Sequence, residues 1–374
     1  MKKQPPITYS QVGDNYDTKD PIKKLALKAA RETSKHLKKA GFEAVEDSRG
    51  ESAFVWSFGD YYLASVVEGL GTKNLIADEM GKIVDPKRSR RSYYDVIGHD
   101  TVASIINDLV TVGAKPLVVH AYWAIEDNSW LQDERRMTDL IGGFKDACDL
   151  AEAAWGGGET ATLKGVIEPD TVDLGGSAIG IISKKDHLIT DQKLEANDRI
   201  LFIKSNGVNA NGISLVRAVA RRLLGGFGAK MKNGKTFGEA VLTKTNIYAG
   251  LVQDLLNGGV DIHYISNITG HGLRKIMRAR GEFTYVVEKL FDPQDVFLFI
   301  QKEAGLSDYE MYQTFNMGQD YAIFLPEKDA KKAKDVIKKS GFDSIDAGYI
   351  EKGERKVIIK PKNLLFKSET LDLR

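Results

Sequence analysis

The chain has 374 residues, of which 42% are hydrophobic and 28% charged, and its formal net charge is +1. This composition is typical of a globular protein and gives no electrostatic reason to expect nucleic acid or a membrane as a partner. Its length suits two domains. Cys148 is the only cysteine, which excludes an intramolecular disulfide, and no apolar run is long enough to span a membrane, so we expect a cytoplasmic protein.

Strand and helix patterns alternate along both halves of the sequence, which predicts an α/β or α+β fold. In the first half, strands are predicted at 61–67 and 117–124 and helices at 74–80, 99–112 and 139–154. In the second half, strands are predicted at 199–204, 283–287, 321–325 and within 343–360, and helices at 213–224, 245–256, 273–278, 293–304 and 327–340. The polar stretch 183–198 between them predicts two domains, 1–188 and 189–374.

A glycine-rich turn follows the first predicted strand and precedes the first predicted helix. Its residues are Glu68, Gly69, Leu70, Gly71, Thr72 and Lys73. Backbone N–H groups in such a turn can approach phosphate oxygens, and a lysine adds positive charge. The alternative is a tight turn without a ligand.

Polar side chains interrupt the apolar helix predicted at 99–112. Asp100, Asn107 and Asp108 would be costly on a helix packed against a sheet unless they bind a cation or accept hydrogen bonds. We therefore predict Asp108 as a magnesium ligand, whereas Asp100 could instead cap the helix or make a structural hydrogen bond.

Three consecutive glycines stand before a carboxylate and a hydroxyl in the run Trp155, Gly156, Gly157, Gly158, Glu159, Thr160 and Ala161. Glycines let a ligand approach the backbone closely, and Glu159 offers a hard oxygen ligand. A long flexible turn is the alternative. In the second half, glycine turns at 206–212 and 269–272 precede predicted helices and could present amides to a phosphate.

Taken in order, these motifs resemble those of the aminoimidazole ribonucleotide synthetases, the phosphoribosylformylglycinamidine cyclo-ligase family. The family's Asp-Gly-Val-Gly-Thr-Lys appears here as Glu68 to Lys73, its Gly-Ile-Asp and Val-Asn-Asp-Leu as Gly98 to Asp100 and Ile106 to Leu109, and its Gly-Gly-Glu-Thr-Ala as Gly157 to Ala161. More specific matches are 211–217, 245–248, 269–270 and 310–318.

The resemblance implies ATP-dependent closure of an imidazole ring, in which the amide oxygen of formylglycinamidine ribonucleotide is phosphorylated and then displaced. It implies a homodimer in which the first sheet forms a barrel with its copy, beside a C-terminal α/β domain. Implied catalytic residues are Lys73, Asp100 and His271. Implied magnesium ligands are Glu68, Asp108 and Glu159. ATP phosphates would be bound by Gly69, Gly71, Thr72, Lys73, Gly157, Gly158 and Thr160, and substrate by Asn209, Asn211, Gly212, Ser214, Thr269 and Gly270.

The sequence departs from the family pattern at several positions. Glu68 replaces an aspartate, Asn209 and Asn267 replace histidines, and His271 replaces a glycine. Asparagine is neither an acid nor a base near neutral pH, so His99 and His271 are the candidates for that role. The family's glycine-rich N-terminal loop is poorly matched at 48–52. These departures leave open a divergent paralogue that acts on another substrate or only binds nucleotide.

Overall fold

Five strands from the first half of the chain form one sheet. They are β1 (Phe54–Phe58), β2 (Tyr61–Gly69), β3 (Lys115–Ile125), β4 (Ala154–Thr162) and β5 (Val172–Ile182). Their order is β1-β2-β5-β3-β4, and every neighbouring pair is antiparallel except β3 with β4. The computed structural model describes residues 5–12, 16–83 and 91–371.

Two helices cover one face of this sheet. The helices of the first half are α1 (Tyr16–Thr33), α2 (Lys35–Lys39), α3 (Asn74–Ile83), α4 (Tyr94–Leu109) and α5 (Glu134–Leu150). The almost wholly buried α4 contacts β2, β5 and α5. Glycine is needed where α4 and α5 cross, since a Cβ at Gly98 would lie 2.3 Å from the Leu140 carbonyl oxygen. The opposite face of the sheet exposes Val67 and Tyr122.

Seven strands from the second half form the other sheet. They are β6 (Arg199–Lys204), β7 (Tyr264–Asn267), β8 (Phe283–Val287), β9 (Gln319–Leu325), β10 (Ser344–Lys352), β11 (Lys356–Ile359) and β12 (Leu364–Lys367), in the order β12-β11-β8-β10-β6-β9-β7. The helices are α6 (Ile213–Arg222), α7 (Phe237–Val241), α8 (Ala249–Asn257), α9 (Asp295–Ala304), α10 (Asp308–Thr314) and α11 (Glu327–Lys339). All seven residues of β9 are buried, which places this strand in the core of the second half.

The mixed α/β class and most of the predicted elements are confirmed. The strands at 199–204 and 283–287 have the predicted bounds. One prediction is wrong, because the helix expected at 139–154 ends at Leu150 and the glycine run after it is the strand β4. The strands predicted within 343–360 exist as β10 and β11, but they do not form a hairpin, since β8 lies between them in the sheet.

Other expectations have different outcomes. The pattern of lysines in the helix predicted at 327–340 indicates a solvated face, and α11 buries Ala330, Ala333 and Ile337 while most of its lysines face solvent. The basic segment 82–91, with Arg88, Arg90 and Arg91, is expected from the sequence to be either an exposed loop or a flexible loop near an anionic substrate. Arg88 and Arg90 lie outside the described residues, and Arg91 pairs with Asp95 at 3.0 Å. The domain boundary near residue 188 stays a prediction. Among the described residues, no helix is both long and apolar enough to cross a membrane.

Candidate functional site

Two adjoining cavities are lined by eight of the eighteen predicted site residues. The larger has a volume of about 590 Å³ and the smaller about 120 Å³. Both are lined by residues of the first half and of the second half of the chain. The five residues that line both cavities are Glu68, Asp108, Asn211, Thr269 and Lys275.

Two carboxylates lie together between these cavities. Glu68 is near the end of β2 and Asp108 is in the last turn of α4. Burial and the neighbouring charge of Asp108 raise the pKa of Glu68 to about 7. Asn267 Nδ2 donates to Asp108 Oδ1 at 2.7 Å and thereby orients that carboxylate. Two adjacent carboxylates repel each other unless a cation or a proton lies between them, and hard oxygen ligands of this kind suit Mg²⁺.

Basic side chains that the sequence interpretation missed lie beside the carboxylates. Lys275 is buried next to Asp108 and Glu68, and burial lowers the pKa of its ammonium group. Its Nζ donates to the Thr269 hydroxyl. Arg278 and Lys23 line the larger cavity with it. Lys275 and Arg278 could have been noticed in the sequence, because they are three residues apart. Residues 272–277 form a 3₁₀ helix, and a spacing of three places both side chains on the same side of it.

The turns of the second half reach the cavities only in part. Asn209 and Asn211 line the smaller cavity, and Thr269 and Gly270 line the larger one. Gly212 is instead the N-cap residue that precedes helix α6, and its φ is 69°. A Cβ at this position would lie 2.2 Å from the Phe315 ring. Gly212 and Ser214 are not among the residues that line either cavity.

Lys73 and Asp100 form a buried ion pair beneath the glycine-rich turn. Lys73 Nζ lies 2.5 Å from Asp100 Oδ2, and both side chains are fully buried. Lys73 also donates to the Thr243 carbonyl at 3.3 Å, and Asp100 Oδ1 accepts from the Thr245 N–H at 2.9 Å. Neither residue lines the two cavities, so their predicted contact with ATP or substrate stays a prediction. They connect the turn and α4 to the second half.

Family models match most of the chain. Residues 50–182 match the N-terminal domain of AIR synthase related proteins, and residues 195–360 match the C-terminal domain. The chain belongs to the AIR synthase related protein family.

Relatives and solved structures agree with this family. The phosphoribosylformylglycinamidine cyclo-ligase of Methanosarcina barkeri is 34% identical over 77% of this chain and 80% of that protein. The enzyme of the same name from Methanococcus maripaludis strain S2 is 30% identical over 92% of each. Among solved structures, HypE of a HypE–HypF complex has a TM-score of 0.57 at 18% identity, covering 83% of this chain and 89% of that one. AaThiL complexed with AMPPCP and TMP also has a TM-score of 0.57, at 12% identity, covering 84% and 89%. At these identities, the structures show the fold alone.

His271, which stands where the family pattern has glycine, adopts a left-handed conformation with a φ of 73°. A side chain rarely adopts this conformation, so the position carries backbone strain of about 1–3 kcal/mol. Burial, with the charges of Arg274 and Lys275, lowers the pKa of His271 to about 2. The imidazole is therefore neutral and lines the larger cavity as a hydrogen-bonding group rather than as a cation.

His99, the other candidate acid or base, and Asp100, the possible helix cap, both make structural contacts. His99 is buried and its Nε2 lies 2.8 Å from the Thr245 carbonyl oxygen, to which it donates. Helix α4 begins at Tyr94, so Asp100 lies well inside it and the capping interpretation is wrong. The sequence interpretation started this helix five residues late.

Within one chain, the glycine-rich run 157–160 does not lie beside the carboxylates of Glu68 and Asp108. Residues 157–160 belong to β4, an edge strand, and two strands, β5 and β3, separate it from β2. Glu159 is exposed and pairs across from Tyr122. The expectation that Glu159 shares a metal site with Glu68 and Asp108 is therefore not met within the single chain, nor do Gly157, Gly158 and Thr160 line the cavities. Gly158 serves packing, since a Cβ there would lie 2.0 Å from the Ala121 carbonyl oxygen.

The poorly matched N-terminal loop nevertheless reaches the site. Gly50, Glu51 and Ser52 line the larger cavity. Arg278 Nη2 donates to the Gly50 carbonyl at 2.7 Å, and Tyr264 donates its hydroxyl to Glu51 at 2.9 Å. The second half of the chain thus holds this loop over the cavity without the family's glycines.

Proposed function

We propose that this chain catalyses ATP-dependent ring closure of formylglycinamidine ribonucleotide to aminoimidazole ribonucleotide in purine biosynthesis. The observation that carries the proposal is the similarity to proteins named phosphoribosylformylglycinamidine cyclo-ligase, at 30–34% identity over 77–92% of this chain. The paired carboxylates and the basic residues between the two halves support it. The alternative, a divergent paralogue that only binds nucleotide, is not favoured by these relatives.

In the proposed reaction, the formyl oxygen of the substrate takes the γ-phosphoryl group of ATP. A nitrogen of the same substrate then attacks the formyl carbon, and phosphate and a proton leave as the ring closes. Such a reaction needs alignment and charge neutralisation more than covalent catalysis. The cavities between the two halves offer both kinds of group, carboxylates for a metal and cations for phosphates.

Glu68 and Asp108 would hold Mg²⁺. When bound, Mg²⁺ neutralises charge on the transferring phosphoryl group. The hydrogen bond from Asn267 fixes the orientation of the Asp108 carboxylate. Glu68 must be deprotonated to act as a ligand. Asp in the family pattern is one methylene shorter than Glu68, so the longer side chain reaches further into the cavity.

Two groups of residues would bind phosphates. Gly71 and Thr72 precede the ten-residue helix α3, and the N-terminus of a helix favours the binding of an anion. Gly69 of the same turn lines the smaller cavity. We assign this turn to ATP phosphates. Lys23, Lys275 and Arg278 surround the larger cavity with positive charge, which suits the 5′-phosphate of the ribonucleotide substrate.

The protein is proposed to act as a homodimer joined through the open face of the first sheet. Val67 is 78% exposed there and Tyr122 is 40% exposed. Exposed apolar side chains on an uncovered sheet face are typical of an interaction surface. A second copy on this face would close the sheet into the barrel that the family resemblance implies. Across such an interface, Glu159 of one copy could lie near the carboxylates of the other.

The proposed function is tested with purified protein, ATP, Mg²⁺ and formylglycinamidine ribonucleotide, omitting each component in turn. Formation of aminoimidazole ribonucleotide with stoichiometric ADP is expected with all three components together. Saturable ATP binding without product would refute the proposal and favour the paralogue.

A further inference from the structure

Asp320 is a fully buried carboxylate that no sequence motif indicated. It lies on strand β9, all of whose residues are buried, and is 1% exposed. Within the described part of the chain, its hydrogen-bond partners are neutral. Tyr248 donates its hydroxyl to Asp320 Oδ2 at 2.6 Å, and Asn209 and Asn316 donate their amide nitrogens to Oδ1. A buried charge without a cation is costly, so a role beyond packing is expected of it.

The link from Asp320 to the site is Asn209. This asparagine is 94% buried, since only 6% of it is exposed, and it has a left-handed φ of 57°. Its Nδ2 faces Asp320. Its Oδ1 is buried and has no hydrogen-bond partner in the described structure, and the side chain lines the 120 Å³ cavity beside Glu68 and Asp108. A buried acceptor of this kind is expected to meet a donor from a ligand.

The charge of Asp320 decides which end of the Asn209 amide faces the cavity. An ionised carboxylate only accepts hydrogen bonds, so the amide nitrogen must face Asp320 and the amide oxygen must face away from it. Burial raises the pKa of Asp320 to about 6, so the carboxyl group is mostly ionised at neutral pH. Tyr248 holds the second oxygen of Asp320, and its own hydroxyl accepts from Asn246 Nδ2 at 3.1 Å. The orientation is therefore fixed from several directions.

We propose that Asp320 is a positioning residue that aims the Asn209 amide oxygen at the amidine N–H of the substrate. This inference rests on the proposed function and extends it to the recognition of one substrate group. The phosphate and formyl oxygens of the substrate are acceptors, whereas the amidine is its nitrogen-rich donor group. Asn209 cannot remove a proton, so its contribution is to hold the amidine in place for ring closure.

The test compares Asn209→Gly, Asp320→Asn and the double variant with the wild-type protein. Glycine accepts the left-handed backbone at 209 and removes the amide. In Asp320→Asn, the new side chain keeps its oxygen for Tyr248 and turns its amide nitrogen toward residue 209, which reverses the Asn209 amide. The control is Asn363→Gly, which changes an exposed asparagine with a similar φ of 51° far along the chain.

Each single variant is expected to raise the KM for formylglycinamidine ribonucleotide about tenfold or more, with the KM for ATP unchanged. The double variant is expected to be no worse than the poorer single variant, because both changes remove the same contact. Thermal unfolding of each protein establishes that it is folded, and Asn363→Gly is expected to keep wild-type kinetics.

Three results would overturn the inference. The first is a wild-type substrate KM in Asn209→Gly or Asp320→Asn, and the second is an equal rise in the KM for ATP, which would indicate a general structural role. The third is additive effects in the double variant. If wild-type protein neither binds nor converts the substrate, the proposed function itself fails and the inference fails with it, so the two failures are distinguishable.

Discussion

Replacing Lys73 with methionine tests the buried ion pair that joins the glycine-rich turn to helix α4. Methionine keeps most of the volume of the side chain but leaves Asp100 buried without its counter-charge. Removing one partner of a buried pair costs about 3–5 kcal/mol. Since 1 kcal/mol shifts the melting temperature of a domain of this size by about 2–4 °C, Lys73→Met should melt roughly 6–20 °C below wild type.

The control is Lys145→Met, which breaks a pair of almost the same length at the surface. Lys145 Nζ lies 2.6 Å from Asp149 Oδ2, and the two side chains are 64% and 66% exposed. Water screens a pair of this kind, so it contributes little to stability. Both variants are compared by scanning calorimetry, and the double variant Lys73→Met, Asp100→Asn should recover part of the loss. Equal melting temperatures for Lys73→Met and Lys145→Met would refute the burial argument.

Further predictions concern the metal site, the dimer and two titrating groups. Asp108→Asn should lower turnover at least tenfold while the circular dichroism spectrum is unchanged, and wild-type turnover would exclude Asp108 as a ligand. If the proposed dimer forms, Val67→Asp should convert it to a monomer in light scattering after gel filtration, because it places a charge in the proposed apolar interface. Although burial opposes protonation, the Asp198 carboxylate raises the pKa of His263, so His263 stabilises the fold below pH 6.5 and this contribution is lost as the pH rises through the raised value. The melting temperature of His263→Asn should therefore approach that of wild type as the pH rises, and a constant difference would contradict this. Burial raises the pKa of Cys148 to about 12, so native protein should react with thiol reagents far more slowly than unfolded protein.

Strands with their own apolar, β-branched pattern could be predicted from the sequence, whereas β4 could not. Residues 283–287 were predicted as a strand because all five residues there, Phe, Thr, Tyr, Val and Val, are types that suit a pleated surface. Strand β4 contains three glycines and has no such pattern. It forms because β3 supplies a parallel partner and Gly158 fits against Ala121, and neither contact is visible in the local sequence.

The candidate site was predictable where a residue type alone limits the chemistry. Glu68 and Asp108 were singled out because carboxylates in apolar elements need a partner, and the fold brings them together. The same reasoning singled out Asp100, but its partner was Lys73, 27 residues away, rather than a ligand. Sequence spacing does not distinguish a buried ion pair from a binding site, because both satisfy a buried charge.

Residues that act through a neighbour could not be found from the sequence. Asp320 lies in a strand whose other residues are mostly apolar, and its contact with Asn209 joins positions 111 residues apart. Lys275 and Arg278 could have been found from their spacing of three residues, but the helix predicted at 273–278 was expected to follow an anion-binding turn, not to supply cations itself. Long-range contacts decide the role of Asp320, and they exist only once both sheets have formed.

The most direct test of the central claim uses substrate that carries ¹⁸O in its formyl oxygen. If the chain activates that oxygen by phosphorylation, each turnover with ATP should transfer one ¹⁸O atom from the substrate to inorganic phosphate, as measured by mass spectrometry. Product formed with unlabelled phosphate, or ATP hydrolysis that is independent of the substrate, would contradict the account.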